Sequence, residues 1–337
     1  METRKVQLSG GTTYTVSIPK YWAKEHGIEA GSVLEIHPQG DGSLLVDART
    51  DNETVERTAE VNISTDGESE IRRRLNAAYT VGGESLDLID RSDHPDDRCQ
   101  LIEQALGGFS GFEVLESTDT HIRVQNLLKA DNIDIRKTTL RLSLITLAMH
   151  RDAVTAVVDD DDALARRVIE RDTEADKLFA IVVRHFRRSL TDLTEIKKLG
   201  QSRDELFEHY YTARQLERVA DHAVKIARFT HEPDASFPDE YAEVFSELGT
   251  AARGVVDDAA DAVFTDAGIA TPTDALTDRD RVIERINDLD RDLYECDDPG
   301  EAYVLGLLLD SHRRTAEYGA NIAEVALQQR TRDVAGQ

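Results

Sequence analysis

The chain has 337 residues and a hydrophobic fraction of 40%, enough for two or three domains with buried cores, which excludes a wholly disordered protein. It carries 66 acidic and 40 basic side chains, and only nine of the bases are lysines, a composition that predicts a halophilic source. Since no run of about 18 apolar residues, no apolar N-terminal segment and no closely spaced cysteines occur, we expect a cytoplasmic protein without a membrane span, disulfide framework or zinc site.

Residues 1–50 are predicted to form two β-hairpins around a short helix. Pro19 ends the first pair of strands and can begin the helical turn Lys20–His26. In the second pair, the sequence Asp41-Gly42 is a strong hairpin signal. Because so small a unit cannot bury much core alone, we expect it to pair with a second copy. The alternating segments are Lys5–Leu8, Tyr14–Ile18, Val33–Ile36 and Ser43–Val46.

A polar linker, residues 50–57, leads to a predicted α+β module at 57–127. Its pattern alternates between strands and helices and ends in a hairpin that turns at Ser117–Asp119. It shows no catalytic signature, and its loop with Asp93 and His94 is acidic like other loops of the chain. The predicted elements are Ala59–Ile63, Glu68–Tyr79, Ser85–Ile89, Asp97–Leu106, Phe112–Leu115 and His121–Val124.

The rest of the chain is predicted to be helical and internally duplicated. Arg214–Ala223 recurs 100 residues later as Arg314–Ala323, and Val168–Arg171 recurs 114 residues later as Val282–Arg285. The second copy therefore has a connection 14 residues shorter, a change that a loop between preserved helices tolerates. We predict two three-helix units, at 134–231 and 239–330.

Pairs of acids one helical turn apart mark each copy. In the first copy, Asp172 and Asp176 share one helix face, and Glu217 and Asp221 share another, so four carboxylates could converge on a hard cation. Acids are abundant in this chain, however, and nearby arginines offer the alternative of ordinary surface salt bridges. The second copy is weaker, because Ile286 stands where the first has Asp172. Its candidate ligands are Asp290, Glu317 and Asn321.

The helical repeat resembles the PhoU family of phosphate-uptake regulators. The sequence Leu216-Glu217-Arg218-Val219-Ala220-Asp221 is similar to that family's Leu-Glu-Arg-Ile-Gly-Asp signature, and Glu317 to Asn321 is similar to its second copy. The resemblance covers about 200 residues. It implies a duplicated three-helix bundle and a multinuclear cluster of iron, manganese or another divalent metal at these acids.

Residues 1–48 resemble the AbrB/SpoVT/MazE swapped-hairpin DNA-binding domains. Lys5-Val6-Gln7-Leu8, Ser17-Ile18-Pro19-Lys20 and Gly27-Ile28-Glu29-Ala30-Gly31-Ser32 carry the resemblance, which implies a homodimer formed by strand exchange. Together with a PhoU-like region, the architecture resembles archaeal phosphate regulators. By position, the implied DNA-contacting residues are Arg4, Lys5, Thr12, Thr13, Tyr14 and Lys20.

We therefore predict a multidomain protein with an N-terminal β domain, a small α+β module and C-terminal all-α repeats. It would be a DNA-binding regulator of phosphate homeostasis whose helical repeats sense a metal or a partner. One alternative is a dimeric adaptor that does not bind DNA and restrains a phosphate transporter or its signalling kinase. A distant alternative is a carboxylate-bridged metalloenzyme, but no recognisable catalytic motif supports an enzyme.

Overall fold

The computed structural model describes residues 3–38, 42, 44–47, 58–91, 95–231, 237–265, 268–295 and 298–335. The chain divides into two compact units, Met1–Glu56 and Arg57–Gln337. No helix among the described residues is long and apolar enough to cross a membrane. The predicted linker at 50–57 lies outside the described residues, as do the loop residues Asp93 and His94. The predicted domain limits stay predictions.

The first unit consists of two antiparallel hairpins and a short helix, in the predicted order. Gly10 and Gly11 turn the first hairpin at φ +64° and +78°, which suits residues without a β-carbon. Most of the second turn, at residues 39–41 and 43, lies outside the description. Every residue described in this unit is at least partly exposed. The elements are β1 (Gln7–Ser9), β2 (Thr13–Thr15), α1 (Lys20–Glu25), β3 (Glu35–Pro38) and β4 (Leu44–Asp47).

The α+β module is a four-stranded sheet covered by two helices. The strand order is β5-β6-β8-β7, with β5 parallel to β6 and the other pairs antiparallel. The last hairpin is longer than predicted, because a bulge between Val114 and Glu116 lets pairing continue to Thr118. The elements are β5 (Thr58–Asn62), α2 (Glu68–Thr80), β6 (Ser85–Ile89), α3 (Pro95–Leu106), β7 (Phe112–Thr118) and β8 (His121–Asn126).

The described part of the C-terminal region consists of helices and their short connections, as predicted. Side chains cap several helix starts: Asp134 and Asp161 each accept a backbone N–H, and Ser202 forms a capping box with Glu205. These caps satisfy donors that have no partner within the helix. The helices are α4 (Ile135–Val158), α5 (Asp162–Ser189), α6 (Leu193–Leu199), α7 (Arg203–Arg228), α8 (Ala242–Phe264), α9 (Ala270–Asp292) and α10 (Pro299–Ala335).

The two repeats share one core through α4, α7, α8 and α10. Asn321 donates to Gln215 at 3.1 Å and Gln329 donates to Glu208 at 2.8 Å, so α7 and α10 run antiparallel. Gly319 allows α10 to approach α8 closely, because a β-carbon there would lie 2.9 Å from Val255 Cγ1. The duplicated helices thus pack as a single body.

One face of α5 carries the contact with the α+β module. Arg184 is fully buried, donates to the carbonyl of Tyr79 at 2.8 Å and lies 4.9 Å from the centre of its ring. Four residues later, Arg188 bonds Glu84 of the module and also donates to Glu195 of α6 at 2.9 Å. The sequence did not predict α6. It occupies the connection that is longer in the first repeat.

Candidate functional site

Four carboxylates of the first repeat face one another across α5 and α7. Burial and then Asp221 raise the pKa of Asp172. Loss of hydration, followed by the charges of Asp172 and Asp221, raises the pKa of Asp176 to about 6, although its side chain reaches solvent. Burial raises the pKa of Glu217 to about 7; Arg214 opposes this effect, while Asp221 and Asp176 add to it. The acids of each helix therefore act on those of the other, as like charges held close together do.

The donor chemistry of this acidic face, defined as Asp172, Asp176, Glu217 and Asp221, suits a hard divalent cation, which takes carboxylate oxygens. A cation would also relieve the repulsion between the acids. The side chains are not closed around a point, since no three His, Cys, Asp or Glu groups among the described residues are placed to hold one metal ion. Glu217 instead forms an ion pair with Arg214 at 3.2 Å. Metal binding here would require these side chains to turn inward.

Each candidate ligand of the second repeat has another side chain as its partner. Asp290 pairs with Arg313 at 2.5 Å, and Glu317 pairs with Arg314 at 2.9 Å. Asn321 donates its amide to Gln215, so it helps to join the repeats. The replacement residue Ile286 is fully buried. Both acids of this copy are paired with arginines, whereas in the first copy only Glu217 forms such a pair and Asp172, Asp176 and Asp221 remain close enough to act on one another.

A second acidic surface, which the sequence analysis did not single out, lies on α8 and α9. Partial burial and then its acidic neighbours raise the pKa of Asp258. The sequence does show this surface, as two pairs of aspartates spaced four residues apart, Asp257 with Asp261 and Asp274 with Asp278. In so acidic a chain such spacing does not separate a site from a solvated face. The neighbours of Asp258 are Asp257, Asp261, Asp274 and Asp278.

The predicted DNA-contacting residues are all exposed and lie in the first unit. Thr13 and Tyr14 belong to β2, opposite Ser9 and Leu8 of β1. Lys20 is the first residue of α1. Arg4 and Lys5 immediately precede β1, and Thr12 lies in the turn of the first hairpin.

The same unit exposes an unusual amount of apolar surface. Val6, Leu8, Tyr14 and Val33 keep between 60% and 74% of their surface open to solvent. None of its described residues is buried, so the described part of the unit forms no core of its own. A unit of this kind needs a partner surface to be stable.

A pair of histidines, defined as His150 of α4 and His312 of α10, lies in the core between the repeats. Both residues are fully buried, and their ring centres are 5.3 Å apart. Among the described residues, no hydrogen-bond partner is found for any ring nitrogen of either, although the backbone of Phe245 offsets part of the lowering of the pKa of His312. Burial lowers the pKa of His312 to about 3 and holds that of His150 well below its usual range. Both rings are therefore neutral at physiological pH.

Comparison with known proteins agrees with two of the resemblances. Residues 139–230 match the family model described as PhoU domain, and residues 7–53 match the one described as the antidote-toxin recognition protein MazE, a bacterial antitoxin. The chain thus carries a PhoU domain and a MazE-type domain, which confirms both. No curated protein matches the chain significantly.

Two similar solved structures are PhoU proteins. The crystal structure of PhoU from Pseudomonas aeruginosa is 21% identical, with a TM-score of 0.47, and the match covers 60% of this chain and 98% of that one. The phosphate transport system regulatory protein PhoU from Streptococcus pneumoniae is 16% identical, with a TM-score of 0.47, and the match covers 58% of this chain and 93% of that one.

Proposed function

We propose that this chain is a cytoplasmic regulator of phosphate uptake that works as a homodimer and contacts DNA through its N-terminal unit. The observation that carries the proposal is the presence of a PhoU domain and a MazE-type domain on one chain. The first would respond to the state of the cell and the second would deliver that response to a promoter.

Charge distribution supports a nucleic-acid role for the first unit. Residues 1–50 contain five bases and six acids, whereas the remainder of this acidic chain contains 35 bases and 60 acids. The first unit is therefore nearly neutral, and it repels phosphates much less than the rest of the surface. In concentrated salt, a few well-placed bases and polar groups must position the protein by geometry, because counterion release contributes less.

Fluorescence anisotropy with labelled promoter fragments, measured over a series of salt concentrations, tests DNA binding. Replacing Lys5 and Lys20 by alanine should weaken binding and reduce the slope of log K against log salt by about 1.8, since each phosphate contact contributes about 0.9. A matched double variant at Lys197 and Lys198, both exposed on α6, should bind like wild type. If the Lys5/Lys20 variant binds with unchanged affinity and slope, the assigned surface is wrong.

The exposed apolar surface of the first unit supports self-association. The double variant Leu8→Glu/Val33→Glu should run as a monomer in size-exclusion chromatography with light scattering, because a charge in a buried dimer interface is costly. Leu307→Glu, at an apolar residue of α10 that is 54% exposed, is the control and should remain dimeric. A dimeric Leu8→Glu/Val33→Glu variant would place the dimer interface elsewhere.

An adaptor that only dimerises through the hairpins is the second candidate, and the same exposed apolar surface favours it. It predicts no retention of any promoter fragment at the working salt concentration. Genome-wide DNA occupancy at high and low phosphate separates the two, since a regulator changes its occupancy with phosphate and an adaptor shows none.

We further propose that the acidic face on α5 and α7 binds a divalent metal such as iron or manganese. Support comes from the repulsion among its carboxylates and from their oxygen chemistry. Elemental analysis of purified wild type and Asp221→Ala should show metal in the former and less in the latter. Asp258→Ala, on the second acidic surface, serves as the control; equal, near-zero metal in all three proteins would end the proposal.

A further inference from the structure

A cavity of about 460 Å³ lies where the α+β module meets α5. This volume is within the range of small-molecule sites. The module supplies Leu106, Phe109 and Val114 as apolar lining together with the carboxylates of Glu103 and Glu113, and α5 supplies Lys177. Its walls therefore come from two different parts of the protein.

The module wall is held in place before any ligand arrives. Tyr79 donates its hydroxyl to the carbonyl of Ser110 at 3.0 Å, and its ring meets Phe112 edge-on with centres 5.0 Å apart. Gly111 completes the turn at φ +86°, where a β-carbon would lie 2.5 Å from Leu128 Cβ. Because hydrogen bonding and sterics both fix this turn, the cavity is a preformed feature of the fold.

The charges that line the cavity are not paired with one another. Within the described part of the chain, Lys177, Glu103 and Glu113 form no ion pair. Lys177 is half-buried and lies on the same face of α5 as Arg184 and Arg188, both of which bond to the module. The lining thus combines one ammonium group, from α5, with two carboxylates, from the module.

The end of α3 adds to this polarity. The helix finishes at Leu106, which lines the cavity, and a helix C-terminus carries partial negative charge that favours a cation. A ligand that complements this lining carries a positive group for the carboxylates of the module, a negative group for Lys177 of α5 and an apolar part for the remaining lining.

We propose that this cavity binds a small zwitterion, a free α-amino acid with an aliphatic or aromatic side chain. Its carboxylate bonds Lys177, its ammonium group faces Glu103 and Glu113, and its side chain packs on the apolar lining. The site is independent of DNA binding and of the metal proposal. Because the ligand touches both the module and α5, its binding strengthens their contact and links the module to the helix that carries Asp172 and Asp176.

Thermal-shift and calorimetric titrations of the full-length protein with each of the twenty amino acids test the proposal. We expect at least one apolar amino acid, with L-leucine as the reference probe, to raise the melting temperature and to give a saturable binding isotherm. L-leucinamide lacks the carboxylate and N-acetyl-L-leucine lacks the ammonium group. Each should bind roughly tenfold more weakly or worse, since a lost charged hydrogen bond costs about that factor.

Variants assign the contacts. Lys177→Met keeps the length of the side chain but removes its charge, and should weaken binding of the best amino acid by roughly tenfold or more. Glu103→Gln/Glu113→Gln should do the same, while Lys198→Met and Glu170→Gln, at exposed residues away from the cavity, should leave it unchanged. Lys177→Gln, checked by circular dichroism, replaces Lys177→Met if the latter fails to fold.

Three results overturn the proposal: no amino acid binds, the two leucine derivatives bind as well as leucine, or the cavity variants bind as well as the controls.

Discussion

Replacing the histidine pair with leucines should make the helical region markedly more resistant to acid. Folding keeps both rings neutral, with the pKa of His312 at about 3 and that of His150 well below its usual range. The unfolded chain takes up a proton on each ring near pH 6.5. Below that pH the unfolded state therefore binds more protons than the folded state, and stability falls as the pH falls. The effect is absent above about pH 7.

The size of the effect at pH 5 does not depend on how far the folded pKa values are lowered. Both rings stay neutral there, so each costs about 1.36 kcal/mol for every pH unit below 6.5, or about 2 kcal/mol. The pair therefore costs about 4 kcal/mol, a large share of the stability of a typical domain. The groups that face the pair also favour the neutral rings. Arg253 of α8 is positive and lowers the pKa values of both rings, and His222 of α7 is itself held neutral.

Urea unfolding followed by circular dichroism at pH 7.5, 6 and 5 measures the effect. The stability of His150→Leu/His312→Leu relative to wild type should rise by about 4 kcal/mol between pH 7.5 and 5. His231→Leu is the control, because that ring is partly exposed and pairs with Asp162 at 2.7 Å. If the relative stability of the double variant rises by less than about 1 kcal/mol over this pH range, the two rings are not held neutral in the fold.

Three further predictions concern the same unit. In the presence of a chelator, Glu217→Gln should stabilise the protein at pH 8 by up to about 3 kcal/mol, because the fold raises the pKa of this carboxyl to about 7 and so disfavours its charged form. The variant should therefore lack the loss of stability that wild type shows as the pH rises from about 4.5 to 7, and equal pH profiles of the two proteins in urea unfolding would contradict this. Gly319→Ala should destabilise the protein by about 1–3 kcal/mol, because its β-carbon would clash with Val255. Gly306→Ala, in open space on the same helix, should instead stabilise it by about 0.5–1 kcal/mol. Thermal melts that rank the two variants the other way would contradict the close packing of α10 on α8. Arg184→Met should cost about 1–3 kcal/mol by removing the hydrogen bond that α5 donates to the carbonyl of Tyr79, which then keeps only the backbone N–H of Gly82 as a donor. Proteolysis should then separate the module sooner, and an unchanged cleavage rate would contradict this.

The order of strands and helices could be predicted from the sequence because local sequence signals determine it. Pro19 and the Gly10-Gly11 pair mark turns whatever the tertiary context, and the order of strands and helices from 58 to 126 follows hydrophobic periodicity. Strand limits were less accessible. β1 begins at Gln7 and not at Lys5, and β7 runs on to Thr118, since pairing and a bulge decide where strands end.

The parts that depend on long-range contacts could not be predicted. Helical spacing placed Asp172 and Asp176 on one face, but the same spacing could not predict that Asp290 forms an ion pair with Arg313 of another helix. The histidine pair joins residues 162 positions apart, and the cavity forms only when Lys177 of α5 lies beside the turn of the module. A short element such as α6, seven residues long, lacks the periodic signal of a longer helix.

The helix α6 makes the two copies of the repeat unequal. Its Glu195 accepts from Arg188 at 2.9 Å and also meets His185; burial would raise the pKa of this carboxyl, but these partners outweigh burial and lower it. In the described residues between α9 and α10 no such helix occurs. The contacts that Arg184 and Arg188 make with the α+β module therefore belong to the first copy. A duplicated sequence can divide its roles in this way: the first copy holds the α+β module through Arg184 and Arg188, while the second has buried apolar Ile286 where the first has the acidic Asp172.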